Sequence, residues 1–366
     1  MKPGIKGNPR LHHIDFLKCL AIYLVLIYHG TLYNNAVYPD MPVSALLRYF
    51  SRSLLSACVP LFFFVNGYLL LPRPMDLKKH TRKMLRLMVV TCFWVLFLRL
   101  ALQPYFGDYY TWETFWTDCW ELRDGWNNQL WYMGSLISVY LLFPVLKSAF
   151  DGDRRNFFWL TAVAVFLVFG SKAADLGVTV LRLLARNEYN MYYNDFPVFY
   201  MFNPFSYRSG LALAYFCLGG AAWALEQRLQ AVPARWRNLA ATVGLLLCCA
   251  MLGIIGWRFS LYRGKVWDQV WHGYDTVFTL GSVACLYVLS LNWQREVALV
   301  KVISANTLGI YLIHDLIHKY LSPSVMQFTS MQTLPGTLVY GAALLLITLG
   351  VCLVLKKIPL VKYLVS

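Results

Sequence analysis

Apolar residues run through this chain in stretches too long for the core of a soluble helix, and Gly, Pro and polar residues break them at fairly regular intervals. At about 1.5 Å of rise per residue, such stretches can cross a hydrocarbon layer about 30 Å thick. The pattern predicts helices over 14–34, 46–71, 84–102, 130–147, 157–170, 208–226, 238–257, 274–291, 304–321 and 334–355. The fifth is the shortest, because the apolar run after Phe157 breaks at Gly170. The chain therefore reads as an all-α, polytopic membrane protein of about ten transmembrane helices, with residues 1–366 forming a single membrane domain. The first span is strongly flanked and no small-residue cleavage site follows it, so it is expected to stay in the protein as a helix.

Composition agrees with the pattern. Hydrophobic residues make up 58% of the chain and charged residues 14%, more apolar surface than a soluble core can hide. The net charge of +15 would suit nucleic acid if it formed a solvated patch, but the cations sort by loop instead. Lys2, Lys6 and Arg10 precede the first helix, and Arg73, Lys78, Lys79, Arg82, Lys83 and Arg86 lie between the second and third. Lys147 with Arg154 and Arg155, Arg228 with Arg235 and Arg237, Arg295 with Lys301, and Lys356, Lys357 and Lys362 fill the other segments of that side. The opposite loops hold fewer cations, and an early one carries Asp108, Glu113, Asp118, Glu121 and Asp124. By the positive-inside rule both termini are cytoplasmic, the implied partner is membrane lipid, and nucleic acid is not expected. Of nine cysteines only Cys119 falls in an outward loop, so neither a disulfide framework nor a metal set is implied. Two outward loops, 103–129 and 171–207, are long and rich in Trp, Tyr, Asn and Asp, side chains that stack on and hydrogen-bond to sugars and also populate bilayer interfaces.

Ionisable residues inside a span are costly, which directs attention to Lys18 and His29 in the first helix. Eleven residues turn a helix by about 1100°, so the two lie on one stripe about 16 Å apart and face a common neighbour. Asp15, one turn before Lys18, is placed to pair with it. A lone intramembrane histidine ordinarily makes an interhelical hydrogen bond. The ninth span, however, carries a second, His314, at matched depth, with Tyr311, His314 and His318 on one stripe and Asp315 beside them. Two such histidines predict one shared polar site, and with no obvious carboxylate partner they make a poor zinc set. On the cytoplasmic side Arg82 and Arg86 are one turn apart with Lys83 adjacent, an arrangement that suits phosphate and also suits anionic lipid.

Taken together, the motifs resemble a family. Asp15-x-x-Lys18 with His29, Val59-Pro60-Leu-Phe-Phe-Phe-Val-Asn66-Gly67-Tyr68, Arg82-Lys83-x-x-Arg86, Leu130-Trp131-Tyr132-Met133 leading to Tyr140-Leu-Leu-Phe-Pro144, Tyr215-Phe-Cys-Leu-Gly219-Gly220, and Ser304-x-Asn-Thr-Leu-Gly309-Ile-Tyr311-Leu-Ile-His314 are similar, in this order, to the acyltransferase-3 family of integral-membrane acyltransferases. The family has an Arg-x10-His motif in its first span; here Lys18 keeps the charge and loses the forked donor. Gln129 stands where many members carry His.

The resemblance implies transfer of an acyl group, most often acetyl, from cytoplasmic acyl-CoA to a hydroxyl of a cell-envelope glycan or lipid-linked saccharide, in the inner membrane of a bacterium. Acetyl-CoA would be the donor and no metal would take part. Lys18, Arg82, Lys83 and Arg86 are then the expected contacts of the coenzyme. His29 would act as general base or as acyl carrier, and Tyr311, His314 or Asn306 would orient it or stabilise the oxyanion. Asn66, Trp131 and Tyr132 are the expected substrate contacts. A succinyl donor within the same family, and a secondary transporter with a mid-membrane histidine site, are the alternatives; a transporter would commonly show internal repeats, which are not visible.

Overall fold

Every regular element among the described residues is helical. The computed structural model describes residues 10–31, 36–106, 128–184, 207–359 and 361–365. The helices are α1 (His12–His29), α2 (Val43–Ser51), α3 (Cys58–Leu70), α4 (Leu77–Phe106), α5 (Trp131–Asp151), α6 (Arg154–Val165), α7 (Ser171–Leu184), α8 (Tyr207–Ala231), α9 (Ala234–Arg263), α10 (Val277–Ser290), α11 (Ala298–Val325) and α12 (Leu334–Leu355). A 3-10 turn over Arg52–Ala57 joins α2 to α3, and a π turn over Phe166–Gly170 joins α6 to α7. Among the described residues, eight helical units are long and apolar enough to cross a membrane. The remaining two predicted spans are α10, a shorter apolar helix, and α1, whose histidines, Asp15 and Lys18 dilute its hydropathy.

Three predicted boundaries move, each for a local reason. The first helix ends at His29 and not at residue 34: Gly30 still donates to the Leu26 carbonyl at 2.7 Å, but its backbone, at φ −84° and ψ 10°, has left the helical conformation. The third helix starts at Leu77, seven residues early, because Asp76 caps it by accepting from the Lys79 backbone N–H at 3.0 Å. That same bond holds the Asp76 carboxyl below the usual carboxylate range. The fifth helix does not stop at Gly170: the π turn absorbs the glycine and α7 carries the chain on to Leu184. Most of both long outward loops, over 107–127 and 185–206, lies outside the described residues.

The 3-10 turn before α3 has its cause in Pro60. Proline has no N–H for the Ser56 carbonyl and crowds that turn. The backbone tightens over Arg52–Ala57, and hydroxyls stitch it, with Ser56 donating to the Ser53 carbonyl at 2.7 Å and Thr279 of α10 donating to Ser56 at 2.7 Å.

The centre of the bundle is α1, packed on α3, α11 and α12, while α3 lies against α8. The α3–α8 contact is backbone on backbone. A Cβ at Gly67 would stand 1.8 Å from the Phe216 carbonyl oxygen, and one at Gly219 would stand 1.9 Å from the Phe64 carbonyl oxygen. Small residues permit such an approach where lipid supplies no hydrophobic drive between helices. At the basic end of this seam His13 of α1 and the Tyr68 hydroxyl of α3 lie 3.3 Å apart, and Tyr68 donates to Glu226 of α8. The outer faces of α4, α9 and α12 keep large apolar side chains exposed, as lipid contact requires.

Replacing Gly219 by Ala forces the two backbones apart, and overpacking of this kind costs about 1–3 kcal/mol. Thermal unfolding of the detergent-purified Gly219→Ala variant is expected below that of the wild type, whereas Gly350→Ala, where nothing lies within 4 Å of the added carbon, does not lower the midpoint.

Candidate active site

His29 and His314 meet. Their ring centroids lie 5.2 Å apart across the α1–α11 contact, His314 fully buried at 0% exposure and His29 partly open. The His314 Nδ1 lies 2.5 Å from the Tyr311 carbonyl, which can only accept, so this nitrogen carries the hydrogen in the neutral ring. Nε2 is then left as an acceptor, buried and without a hydrogen-bond partner. One turn further along α11, Asp315 pairs with Lys319 at 2.8 Å, and His318 shares a 3.0 Å hydrogen bond with the Tyr340 hydroxyl of α12. No group of three or more His, Cys, Asp or Glu side chains among the described residues is placed to hold a metal ion.

From this pair a line of polar aromatic side chains leads to the basic end. The Tyr311 ring lies 5.7 Å from His314 and 5.3 Å from Tyr132 of α5. Asn66 of α3 donates to the Tyr132 hydroxyl at 3.3 Å and accepts from the Tyr140 hydroxyl at 3.3 Å, while its second amide hydrogen reaches the Phe62 carbonyl at 2.8 Å. The Lys83 ammonium of α4 sits 5.3 Å over the Tyr140 ring. Pro144 explains the last step of the line. It cannot donate to the Tyr140 carbonyl one turn earlier, and the His80 Nε2–H fills that vacancy at 2.8 Å, bringing the start of α4 against α5.

The cations of the basic end divide into two groups. Lys18 and Lys83 both lie within electrostatic reach of Arg73, so the three form one cationic cluster at the end of the aromatic line. Lys18 does not pair with Asp15 as its spacing suggests. It donates to the Ser304 carbonyl, while the Ser304 hydroxyl reaches Asp15 at 2.5 Å and Arg10 pairs with Asp15 at 2.5 Å, so that α1 grips the start of α11. Arg82 stands exposed on α4. Arg86 points elsewhere: it donates to the Tyr363 carbonyl at 3.0 Å and lies 5.2 Å over the Tyr363 ring. Arg82 and Arg86 are one turn apart, but no common clamp forms. Asn306 is also taken up away from His29, accepting from Lys356, just past the end of α12, at 2.6 Å.

Trp131 and Tyr132 are neighbours in sequence with different surroundings. Tyr132 belongs to the line, whereas Trp131 lies 6.0 Å from Trp271 and 5.7 Å from Tyr274 at the end of the bundle away from the cations. That end is closed by the connection between α9 and α10, which folds back among the helices, with Val270 fully buried and Gln269 donating to the Tyr49 carbonyl at 2.5 Å. It places Asp268 2.7 Å from the Tyr28 hydroxyl, next to His29, and 3.7 Å from Arg52 on the 3-10 turn. Arg208 of α8 lies 3.6 Å over the Trp271 ring. These residues escaped the sequence reading, although Arg52 falls inside the predicted second span and the rule that selected Lys18 applies to it equally.

The Asn66 amide serves two buried hydroxyls at once, and an Asn66→Leu variant leaves both without it. Stability is expected to fall by about 1–3 kcal/mol, the cost of a buried polar group left unsatisfied, seen as a lower unfolding midpoint in detergent; Tyr140→Phe, which removes one hydroxyl with its need, is expected to cost less.

No curated protein and no solved structure gives a match to the chain. One family model, described as an acyltransferase domain, matches residues 11–357, from the residue before α1 to just beyond α12. The match takes in both histidines, the aromatic line and the cationic cluster, and the chain belongs to the acyltransferase-3 family of membrane acyltransferases.

Proposed function

We propose that the protein transfers an acetyl group from acetyl-CoA, bound at the basic, cytoplasmic end, to a hydroxyl of a cell-envelope glycan or lipid-linked saccharide at the other end, in a bacterial inner membrane. The observation that carries this reading is the unbroken line from Lys83 through Tyr140, Asn66, Tyr132 and Tyr311 to the His314–His29 pair. A coenzyme A molecule has anionic phosphates at one end and a thioester at the end of a long polar arm. Lys18, Arg73 and Lys83, with Arg82 alongside, supply charge for the phosphates; the tyrosines and Asn66 line the way for the arm. Arg86, already engaged by Tyr363, contributes less.

The chemistry falls to His29, the exposed member of the pair. With Nδ1 committed to the Tyr311 carbonyl, neutral His314 can only accept at Nε2, and an N–H of His29 is the ring donor beside it. A hydrogen bond between the two, made when the rings close on one another, would fix the His29 tautomer and leave its other nitrogen basic. The acceptor oxygen attacks the thioester carbonyl carbon as its proton passes to His29. The tetrahedral intermediate then collapses, the carbon–sulfur bond breaks, and the coenzyme leaves as a thiol by taking that proton from the imidazolium. His314 acts here as a positioning residue.

Membranes containing the protein, given radiolabelled acetyl-CoA and an envelope-glycan extract, are expected to transfer label to the extract. His29→Ala should lower kcat on the order of 10²- to 10⁴-fold, the usual contribution of a general base. A combined Lys18→Met and Lys83→Met change should act on the KM for acetyl-CoA. Full transfer by His29→Ala, or faster transfer from succinyl-CoA than from acetyl-CoA, contradicts the assignment of base or donor respectively.

A further inference from the structure

The end of the bundle away from the cationic cluster holds a guanidinium whose charge is matched and whose one hydrogen bond is long. Arg52 is 7% exposed. Its nearest acceptors are the Asp268 carboxylate, 3.7 Å from Nη2, and the Thr31 hydroxyl, 3.5 Å from Nη1. A closed arginine–carboxylate pair brings nitrogen and oxygen to about 2.7–2.9 Å, commonly through two parallel bonds.

Asp268 is held back from closing that gap. Its carboxylate accepts the Tyr28 hydroxyl at 2.7 Å and the backbone N–H groups of Val270 and Trp271 at 2.9 and 3.3 Å. Three donors from two segments fix it in place, and Pro60 fixes the turn that carries Arg52. A guanidinium has five N–H donors, and among the described residues Arg52 meets one acceptor with them, the Thr31 hydroxyl at 3.5 Å. The gap lies close to the reacting position: Arg52 stands 5.6 Å over the Tyr28 ring, and that ring is 5.0 Å from the ring of His29.

What would fill it follows from the charge balance. Asp268 already compensates Arg52, so the gap lacks oxygen lone pairs and not a second anion. An added carboxylate or phosphate would meet repulsion from Asp268. A hydroxyl suits it on both counts, because its oxygen can accept from Arg52 while its hydrogen goes to Asp268, each at about 2.8 Å. Trp271, next to Asp268 and partly exposed, offers aromatic surface beside the gap.

We propose that Arg52 and Asp268 form the acceptor subsite, in which a neutral saccharide bridges the pair with one hydroxyl and presents the neighbouring hydroxyl to His29. This rests on the acyl-transfer reading above. It assigns the acceptor to the uncharged sugars, and it gives the connection between α9 and α10 a direct part in choosing it.

The test uses purified protein in lipid nanodiscs, radiolabelled acetyl-CoA, and envelope glycan from the cells the protein comes from, split by anion exchange into uncharged and anionic pools. Label is expected in the uncharged pool. Arg52→Gln should raise the KM for that pool roughly tenfold or more, the loss expected for hydrogen bonds to a charged group, while the KM for acetyl-CoA moves by less than about twofold. Arg52→Lys should recover part of the loss. Tyr28→Phe, which keeps the ring and loosens Asp268, should raise the acceptor KM as well and serves if Arg52→Gln does not accumulate as folded protein. Label confined to the anionic pool, or an acceptor KM unchanged in the variant that folds, overturns the subsite. Absence of label in both pools with the wild type overturns the acyl-transfer reading, and the subsite with it.

Discussion

The approach of α3 to α8 through Gly67 and Gly219 is the constraint on which the other contacts depend. With a carbonyl oxygen of one helix where the Cβ of the other would be, the two helices have neither room to slide nor room to rotate. Asn66 and Tyr68 flank Gly67, so the register of that seam decides where both side chains go. Asn66 is turned to the tyrosines of α5, and Tyr68 to His13 and Glu226. In a bilayer, where apolar side chains gain little by leaving lipid for protein, close backbone packing and a few well-placed hydrogen bonds have to supply the specificity that a hydrophobic core supplies in water.

Proline and hydroxyl chemistry then turn local defects into anchor points. Pro144 exposes the Tyr140 carbonyl and His80 occupies it; Pro60 forces the 3-10 turn and thereby brings Arg52 to the side of Tyr28. An unpaired carbonyl in hydrocarbon costs several kcal/mol, and at Pro144 the neighbouring α4 supplies the partner through His80. Both defects here sit beside the proposed path of the substrates.

Much of this was legible in the sequence, and the exceptions have physical causes. Ten apolar runs mark the helices because hydrocarbon thickness sets their length, and the His29–His314 meeting was readable from depth alone, since two costly residues at one level satisfy each other most cheaply by touching. Helix ends were less legible: Asp76 acts through a single hydrogen bond and Gly30 through its backbone angles, neither of which a hydropathy pattern registers. Spacing suggested Asp15 for Lys18, yet Ser304 intervenes, because a partner from another helix competes on equal terms with one a turn away. Arg86, one turn from Arg82, donates to the Tyr363 carbonyl, a contact that helical spacing cannot show. The mouth around Asp268 was missed because the connection between α9 and α10 has no periodicity of its own; its fold is dictated by Tyr49, Tyr28 and Arg52, residues more than two hundred positions distant.

The meeting of α1 with α11 and α12 has a consequence for biogenesis. Among the described helices α1 is the first to leave the ribosome, and its partners are the last. Until α11 is inserted, Lys18 lacks the Ser304 carbonyl and His29 lacks its imidazole neighbour, and both must wait in the bilayer or at the translocon while the intervening helices are made. Asp15 and Arg10, close by in sequence, can already neutralise one another in that interval. No partly synthesised chain has a complete site. Activity therefore arises in a single late step, and insertion of the last helices doubles as the check that everything before them is in its place.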